Sequence, residues 1–257
     1  MTKVISVISG KGGVGKTTLV SNLGAALVNL EKNVIVIDGN VTSANLGIHL
    51  GMPAVNPVSL NDVLKEDAFI TQAMYRYKEG FTVIPASIGE IEANYGGLKN
   101  QISRLLGNSD IILIDAAAGV SEEVEAAIDA SDEVILVTNP EYTAVLGAIS
   151  AKKLALKKNK KILGTIINKR MSEKHEMSAK EVELFLELPV LATIRNHRKV
   201  REAIAYRTPV VVHSPHASVS KQIRNIAYKL LEQEPPKESV VDKIKTFLQK
   251  DIRLSFE

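Results

Sequence analysis

The chain has 257 residues, with 32 Lys+Arg against 29 Asp+Glu for a formal net charge of +3, 45% hydrophobic residues and 4% aromatic residues. This composition is ordinary for a water-soluble globular protein, and the length suffices for one large α/β core without disulfides or a structural metal. Cysteine is absent, which excludes a disulfide framework, thiolate zinc sites, thiolate-bound iron–sulfur clusters and cysteine nucleophiles, so any site chemistry uses oxygen and nitrogen ligands.

In chain order, short β-branched runs are predicted as strands at Val4 to Ser9, Val34 to Ile37, Phe81 to Ile84, Asp110 to Ile114, Glu133 to Val137, Lys161 to Ile167 and Val190 to Ile194. Helical spacing falls between them, at Thr17 to Glu31, Leu98 to Leu106, Glu122 to Ala130, Thr143 to Lys158, Ala179 to Leu186, Lys199 to Arg207 and Val219 to Glu232. Near-continuous apolar strands alternating with helices predict an α/β fold, a doubly wound and mostly parallel sheet with helices on both faces. Ligands of such a sheet lie at the carboxyl ends of its strands. There is no internal repeat. Met1-Thr2-Lys3 runs straight into the first strand with no signal peptide, and no apolar run approaches the roughly 18 residues of a membrane span, so the expected location is cytoplasmic. Pro235-Pro236 closes a globular unit of residues 1–233. In the remaining 234–257, Val240, Val241, Ile244, Phe247 and Leu248 fall at helical spacing beside Lys243, Lys245 and Lys250, which predicts a linker and a short basic amphipathic tail.

The sharpest feature is Gly10-Lys11-Gly12-Gly13-Val14-Gly15-Lys16-Thr17, a full G-x-x-x-x-G-K-[ST] match placed after a strand and before a helix. Glycines let successive backbone N–H groups turn around phosphate oxygens, and the helix behind presents its positive end. In such a loop Lys16 is expected to reach the β- and γ-phosphates, Thr17 to ligate Mg²⁺ and Thr18 to donate near the α-phosphate. Ile111-Ile112-Leu113-Ile114-Asp115 is a strand that delivers a carboxylate to the same edge, although Asp115 alone also suits a helix cap. Ala116-Ala117-Ala118-Gly119 is expected to form a small-residue turn that senses the γ-phosphate. A third apolar strand ends in Asp38-Gly39-Asn40, where Asp38 can hold a Mg²⁺-bound water.

These three elements together resemble the deviant Walker A family of MinD-like cell-division ATPases, with the ParA partition ATPases as near relatives. The resemblance spans about residues 1–233 and is marked most specifically by Lys11. It implies a SIMIBI-type phosphate-loop NTPase that binds ATP or ADP with Mg²⁺, forms an ATP-dependent homodimer in which Lys11 reaches the partner subunit's phosphates, and answers to an activator or effector protein. It also implies that Asn168 reads the adenine edge, for which an amide is chemically suited, although Asn168 equally suits a turn. Arg195 falls in the adenine-proximal loop at a position where members commonly carry Pro. The chain departs from the pattern at Asn40 as well, since members usually carry a second acid there to orient or activate the attacking water. A neutral amide can hydrogen-bond a water but cannot take its proton, so strong ATP binding with slow hydrolysis is expected. The turn after Asp115 has three alanines where members often have Pro.

Two output surfaces are legible. The tail can lie on an anionic membrane at the inner face of the cell, as the resemblance implies, or pack on its own domain. The stretch from Arg195 to Lys229 carries Arg195, Arg198, Lys199, Arg201, Arg207, Lys221, Arg224 and Lys229 against Glu202, a charge pattern that suits either DNA phosphates or a solvated face. A division switch is therefore expected, with a DNA-partition or organelle-positioning ATPase as the alternative and a small-carboxylate ligase as a third. His213 and His216 flank a Ser-Pro loop without metal-ligand spacing.

Overall fold

Strand β1 (Lys3–Ser9) enters the interior at once: six of its seven residues are buried, and it has a parallel neighbour on each side. The computed structural model describes residues 2–53, 58–87 and 94–236. The linker end and tail expected at 237–257 lie outside the described residues. After β1 come α1 (Lys16–Val28), β2 (Val34–Gly39), α2 (Leu46–Leu50), α3 (Leu60–Leu64), β3 (Tyr75–Arg76), β4 (Thr82–Ile84) and α4 (Leu98–Ser103). The second half supplies β5 (Ile111–Ala118), α5 (Glu122–Asp129), β6 (Glu133–Thr138), α6 (Tyr142–Lys157), β7 (Lys161–Arg170), α7 (Ala179–Leu186), β8 (Val190–Arg195), α8 (Arg198–Ala205), α9 (Val210–His213) and α10 (Ser218–Leu230).

Among the described residues, eight strands form one sheet in the order β3-β4-β2-β5-β1-β6-β7-β8, parallel except for β3 on β4. Alternate residues of the central strands enter two separate cores. Ile35, Ile37, Ile112, Ile114, Val134 and Leu136 face α4 to α7, while Val36, Leu113, Ile135 and Val137 face α1, α9 and α10. This two-sided burial explains why the strands lack polar alternation. Helix α1 ends three residues before the expected Glu31, because Glu31 adopts a left-handed conformation with φ 59° and the Lys32 N–H bonds back to the Leu27 carbonyl at 3.1 Å.

The small-residue turn expected at Ala116 to Gly119 is corrected. Strand β5 runs on through Ala118, with Gly39 paired to Ala116 and Ser9 to Ala118, and the chain turns only at Gly119, where φ is 89°. Three alanines each retain a backbone N–H, so the parallel ladder continues where a proline would interrupt it. The edge strand β3 and the short helices α2, α3 and α9 were not anticipated. Each has five residues or fewer, too short for a periodicity to emerge.

Candidate functional site: a phosphate-loop cleft

Because β5 inserts between β2 and β1, the ends of three buried strands meet at one edge of the sheet. Asp38 on β2 and Asp115 on β5 are register partners, and both are buried. The loop from Gly10 to Gly15 leaves β1 beside them and opens α1. Gly15 is the residue before the helix, with φ 98°, a conformation natural only to glycine. A Cβ there would also meet the Asn168 amide nitrogen at 2.4 Å.

The Lys16 ammonium, 8% exposed, donates to Ser9 Oγ at 2.8 Å, and that hydroxyl donates onward to the Lys11 carbonyl at 2.9 Å. Burial lowers the Lys16 pKa, and the facing Asp115 carboxylate opposes the shift. Asp115 is itself pushed up by burial, against a hydrogen bond from the Thr17 hydroxyl and the charge of Lys16. Asp38 is pushed up by burial and then by the neighbouring Asp115 charge, although it accepts the backbone N–H groups of Asn40, Asn45 and Leu46 at 3.3, 3.1 and 3.0 Å. The site is thus short of positive charge at its acidic floor, which suits an incoming cation.

Mg²⁺ fits this floor on direct grounds. Asp115 Oδ1 is buried without a hydrogen-bond partner, and Thr17 Oγ1 lies against the same carboxylate. A hydroxyl and carboxylates form an all-oxygen donor set of the kind Mg²⁺ takes, with phosphate oxygens and water completing the shell. Among the described residues, no group of three or more His, Cys, Asp or Glu could hold a metal by itself, so the ion would depend on the phosphates of a bound nucleotide.

Above the floor lies a cleft of about 610 Å³ lined at its phosphate end by Gly12, Gly13, Gly15, Lys16, Thr17 and Thr18. Asn40, Ala118 and Arg195 also line the cleft, as does Asn168, whose amide lies beside Gly15. Three of the expected site residues are elsewhere. The Val14 side chain is buried in the core, Gly10 packs under α6, and the Lys11 ammonium, on a side chain 51% exposed, pairs with Glu141 at 3.4 Å. Asn168 donates from Nδ2 to the Val14 carbonyl at 2.8 Å and accepts the Lys169 N–H on Oδ1 at 2.9 Å, so its amide braces the loop from the cleft wall.

Sequence reasoning missed Lys169, whose ammonium donates to the Gly13 carbonyl at 2.6 Å, and the apolar far wall of Leu19, Ile194, Val200, Ile204 and Ile223. It also missed Gly147, which meets Gly10 from α6. A lone glycine inside an apolar helical run was the available signal for that contact. Several cations of the basic stretch from Arg195 to Lys229 have partners within the domain. Arg195 and Arg201 line the cleft, Arg198 and Lys199 pair with Glu202 at 2.8 and 2.6 Å, and Lys229 donates to the Leu191 carbonyl.

A doubly wound sheet with this loop over a dicarboxylate floor defines a phosphate-loop nucleotide-binding protein. Residues 5–210 match the CobQ/CobB/MinD/ParA nucleotide binding domain, and the chain belongs to that family. It is 35% identical over 234 residues to an uncharacterized ATP-binding protein of Methanocaldococcus jannaschii, which covers 90% of this chain and 88% of the relative. It is 30% identical over 270 residues to the septum site-determining protein MinD of Buchnera aphidicola, covering 98% of this chain and 100% of that one. Among solved structures, the septum site-determining protein MinD of Pyrococcus horikoshii complexed with Mg-ADP superposes with a TM-score of 0.85 at 32% identity, over 90% of this chain and 96% of the other. Both the fold and the MinD-like phosphate loop expected from sequence are present.

Proposed function

We propose that this chain is a MinD-like ATP-dependent switch, which binds Mg·ATP, dimerises around it and hydrolyses it slowly to regulate where cells divide. The observation that carries the reading is the position of Lys11. Every other charged or hydroxyl-bearing residue of the loop turns inward, while Lys11 leaves its own cleft for Glu141. An ion pair this exposed contributes only ~0–1 kcal/mol, so the ammonium is released readily toward phosphates on a facing copy. There it would stabilise charge developing on the transferring phosphoryl group, as an arginine finger does.

Bound Mg²⁺ supplies charge neutralisation between the β- and γ-phosphates. The loop N–H groups orient the phosphate chain, Lys16 lies beside the floor, and Thr17 with Asp115 would hold the ion. Asn40 lines the phosphate end, and its Nδ2 donates to the Ser43 carbonyl at 2.7 Å. Its Oδ1 is therefore the end that accepts from an attacking water, and it orients that water without removing a proton. Asn40→Asp is expected to raise single-turnover hydrolysis at least about tenfold by supplying a base. Equal rates in the two chains would reject the role assigned to Asn40.

The test of the whole reading is molecular mass by light scattering with Mg·ATP or Mg·ADP, with nucleotide affinity measured in parallel. ATP alone is expected to drive a dimer. Lys11→Ala is expected to remain a monomer with ATP bound while its ADP affinity stays within about twofold, because only a side chain outside the cleft has changed. An ATP-dependent dimer in Lys11→Ala would overturn the trans role. The basic amphipathic stretch in 234–257 is the proposed output surface toward anionic lipid, a weak contact doubled in a dimer. ATP-dependent sedimentation with phosphatidylglycerol vesicles, lost on deletion of 237–257, is the expected result.

A further inference from the structure

Two loops flank the phosphate end of the cleft, one after β2 and one after β5. The first, residues 40–45, carries Asn40 and is held from beneath by Asp38, whose carboxylate accepts the N–H groups of Asn40, Asn45 and Leu46. Its outer side is held by a second carboxylate from a different element. Glu123, in the first turn of α5 and 7% exposed, accepts the Thr42 N–H on Oε1 at 2.8 Å and the Thr42 hydroxyl on Oε2 at 3.1 Å.

Both oxygens of a buried acid therefore bind one residue, 81 positions away in sequence and two residues beyond Asn40. Neither donor is a cation, so these bonds serve geometry rather than charge pairing, while the α5 N-terminus favours the negative charge. Helix α5 follows Gly119, whose N–H donates to the Ser9 carbonyl at 2.9 Å beside the phosphate loop. Ser9 thus anchors the start of the loop after β5, Glu123 ties α5 to the loop after β2, and Asn40 stands within the tied segment.

We infer that Glu123, through its two bonds to Thr42, is a positioning residue that couples the two loops and sets Asn40 over the phosphate end of the cleft. The inference rests on the proposed ATPase reading for its kinetic consequence and on the geometry above for its structural one. Glu123 is not among the residues that line the cleft, so its loss should leave nucleotide affinity nearly untouched while loosening the segment that aligns the water. Misplacement of a catalytic group by an ångström lowers a rate by up to ~10²-fold.

The experiment compares Glu123→Ala, Glu123→Gln and Thr42→Val, each in the parent and in the Asn40→Asp chain, using Mg·ADP for affinity and amide exchange and Mg·ATP for single turnover. In Glu123→Ala, exchange across residues 40–46 is expected to rise with Mg·ADP bound while protection across 10–18 is retained. Hydrolysis in the Asn40→Asp chain is expected to fall about tenfold, with ADP affinity within about twofold of the parent. Glu123→Gln keeps a carbonyl acceptor for the Thr42 N–H and is expected to recover most of the loss. The Glu123→Ala, Thr42→Val double variant is expected to be no slower than Glu123→Ala, since both changes remove one contact. Unchanged exchange at 40–46 in Glu123→Ala would overturn the inference, as would a rate loss matched by an equal loss of ADP affinity. If neither the parent nor the Asn40→Asp chain hydrolyses ATP, the ATPase reading fails by itself, and amide exchange at 40–46 alone decides the strut.

Discussion

Lys16→Ala is expected to weaken Mg·ATP binding by about 10- to 10²-fold, the scale of one hydrogen bond to a charged group. Two features place this residue toward the upper end. The ammonium is nearly buried and already held by Ser9 Oγ at 2.8 Å, so it needs little reorganisation when phosphate arrives. It also faces Asp115, whose pKa is pushed up by burial and held down in part by Lys16. Truncation leaves two adjacent carboxylates on β2 and β5 without that opposing charge. The variant's floor therefore repels the phosphates more strongly, which adds to the loss of the donor. Calorimetric titration of Mg·ATP into parent and variant checks the expectation, with the thermal transition as the control for folding. An affinity within threefold of the parent would mean that the backbone cradle alone captures the phosphates.

Gly10→Ala is expected to destabilise the fold by more than ~4 kcal/mol, in the exceptional range for a single substitution. A Cβ at Gly10 would lie 1.8 Å from the Gly147 carbonyl oxygen, 1.9 Å from its carbon and 2.5 Å from the Ala148 nitrogen. All three are backbone atoms of α6, and a helix backbone cannot swing aside as a side-chain tip does. Residue 10 therefore requires glycine for proximity, unlike Gly15, whose φ of 98° makes conformation a second requirement. The reciprocal substitution separates the two partners. A Cβ at Gly147 meets Gly10 atoms at 3.3 Å, a gap that yields with shifts of a few tenths of an ångström, so Gly147→Ala is expected to cost under ~2 kcal/mol. Urea melts of the two variants check the asymmetry, and equal losses would show that α6 moves freely against β1.

The phosphate loop was legible because its function is performed by contiguous backbone, so eight adjacent letters carry nearly all of its geometry. The parallel sheet was legible for a related reason: burial on both faces removes polar residues from whole strands, and that depletion is visible without knowing their order. Lys11 and Asn40 stood out as departures or signatures within the same local patterns. Long-range pairings left no such mark. Glu123 and Thr42 are separately unremarkable letters, one in an acidic first turn and one in a polar loop, and only the insertion of β5 between β2 and β1 brings them together. Gly10 and Gly147, or Lys169 and Gly13, likewise meet across the fold.

The basic stretch shows the limit from the other side. Eight cations close in sequence gave no hint of the partners that five of them take up in the fold. Arg195 and Arg201 turn to the cleft, Arg198 and Lys199 close on Glu202, and Lys229 turns to the Leu191 carbonyl. The alanine run after Asp115 was similarly ambiguous, since alanine tolerates both strand and turn and only the partners Ser9 and Gly39 draw it into the ladder. The amino-acid sequence by itself determined the nucleotide loop, its acidic partners and the alternation of strands and helices, because these follow from local backbone freedom and patterned burial. The tertiary structure alone decided which loops are braced, which lysine leaves its own cleft and where the glycines must be bare, because those properties depend on the close approach of atoms that the chain separates by tens of residues.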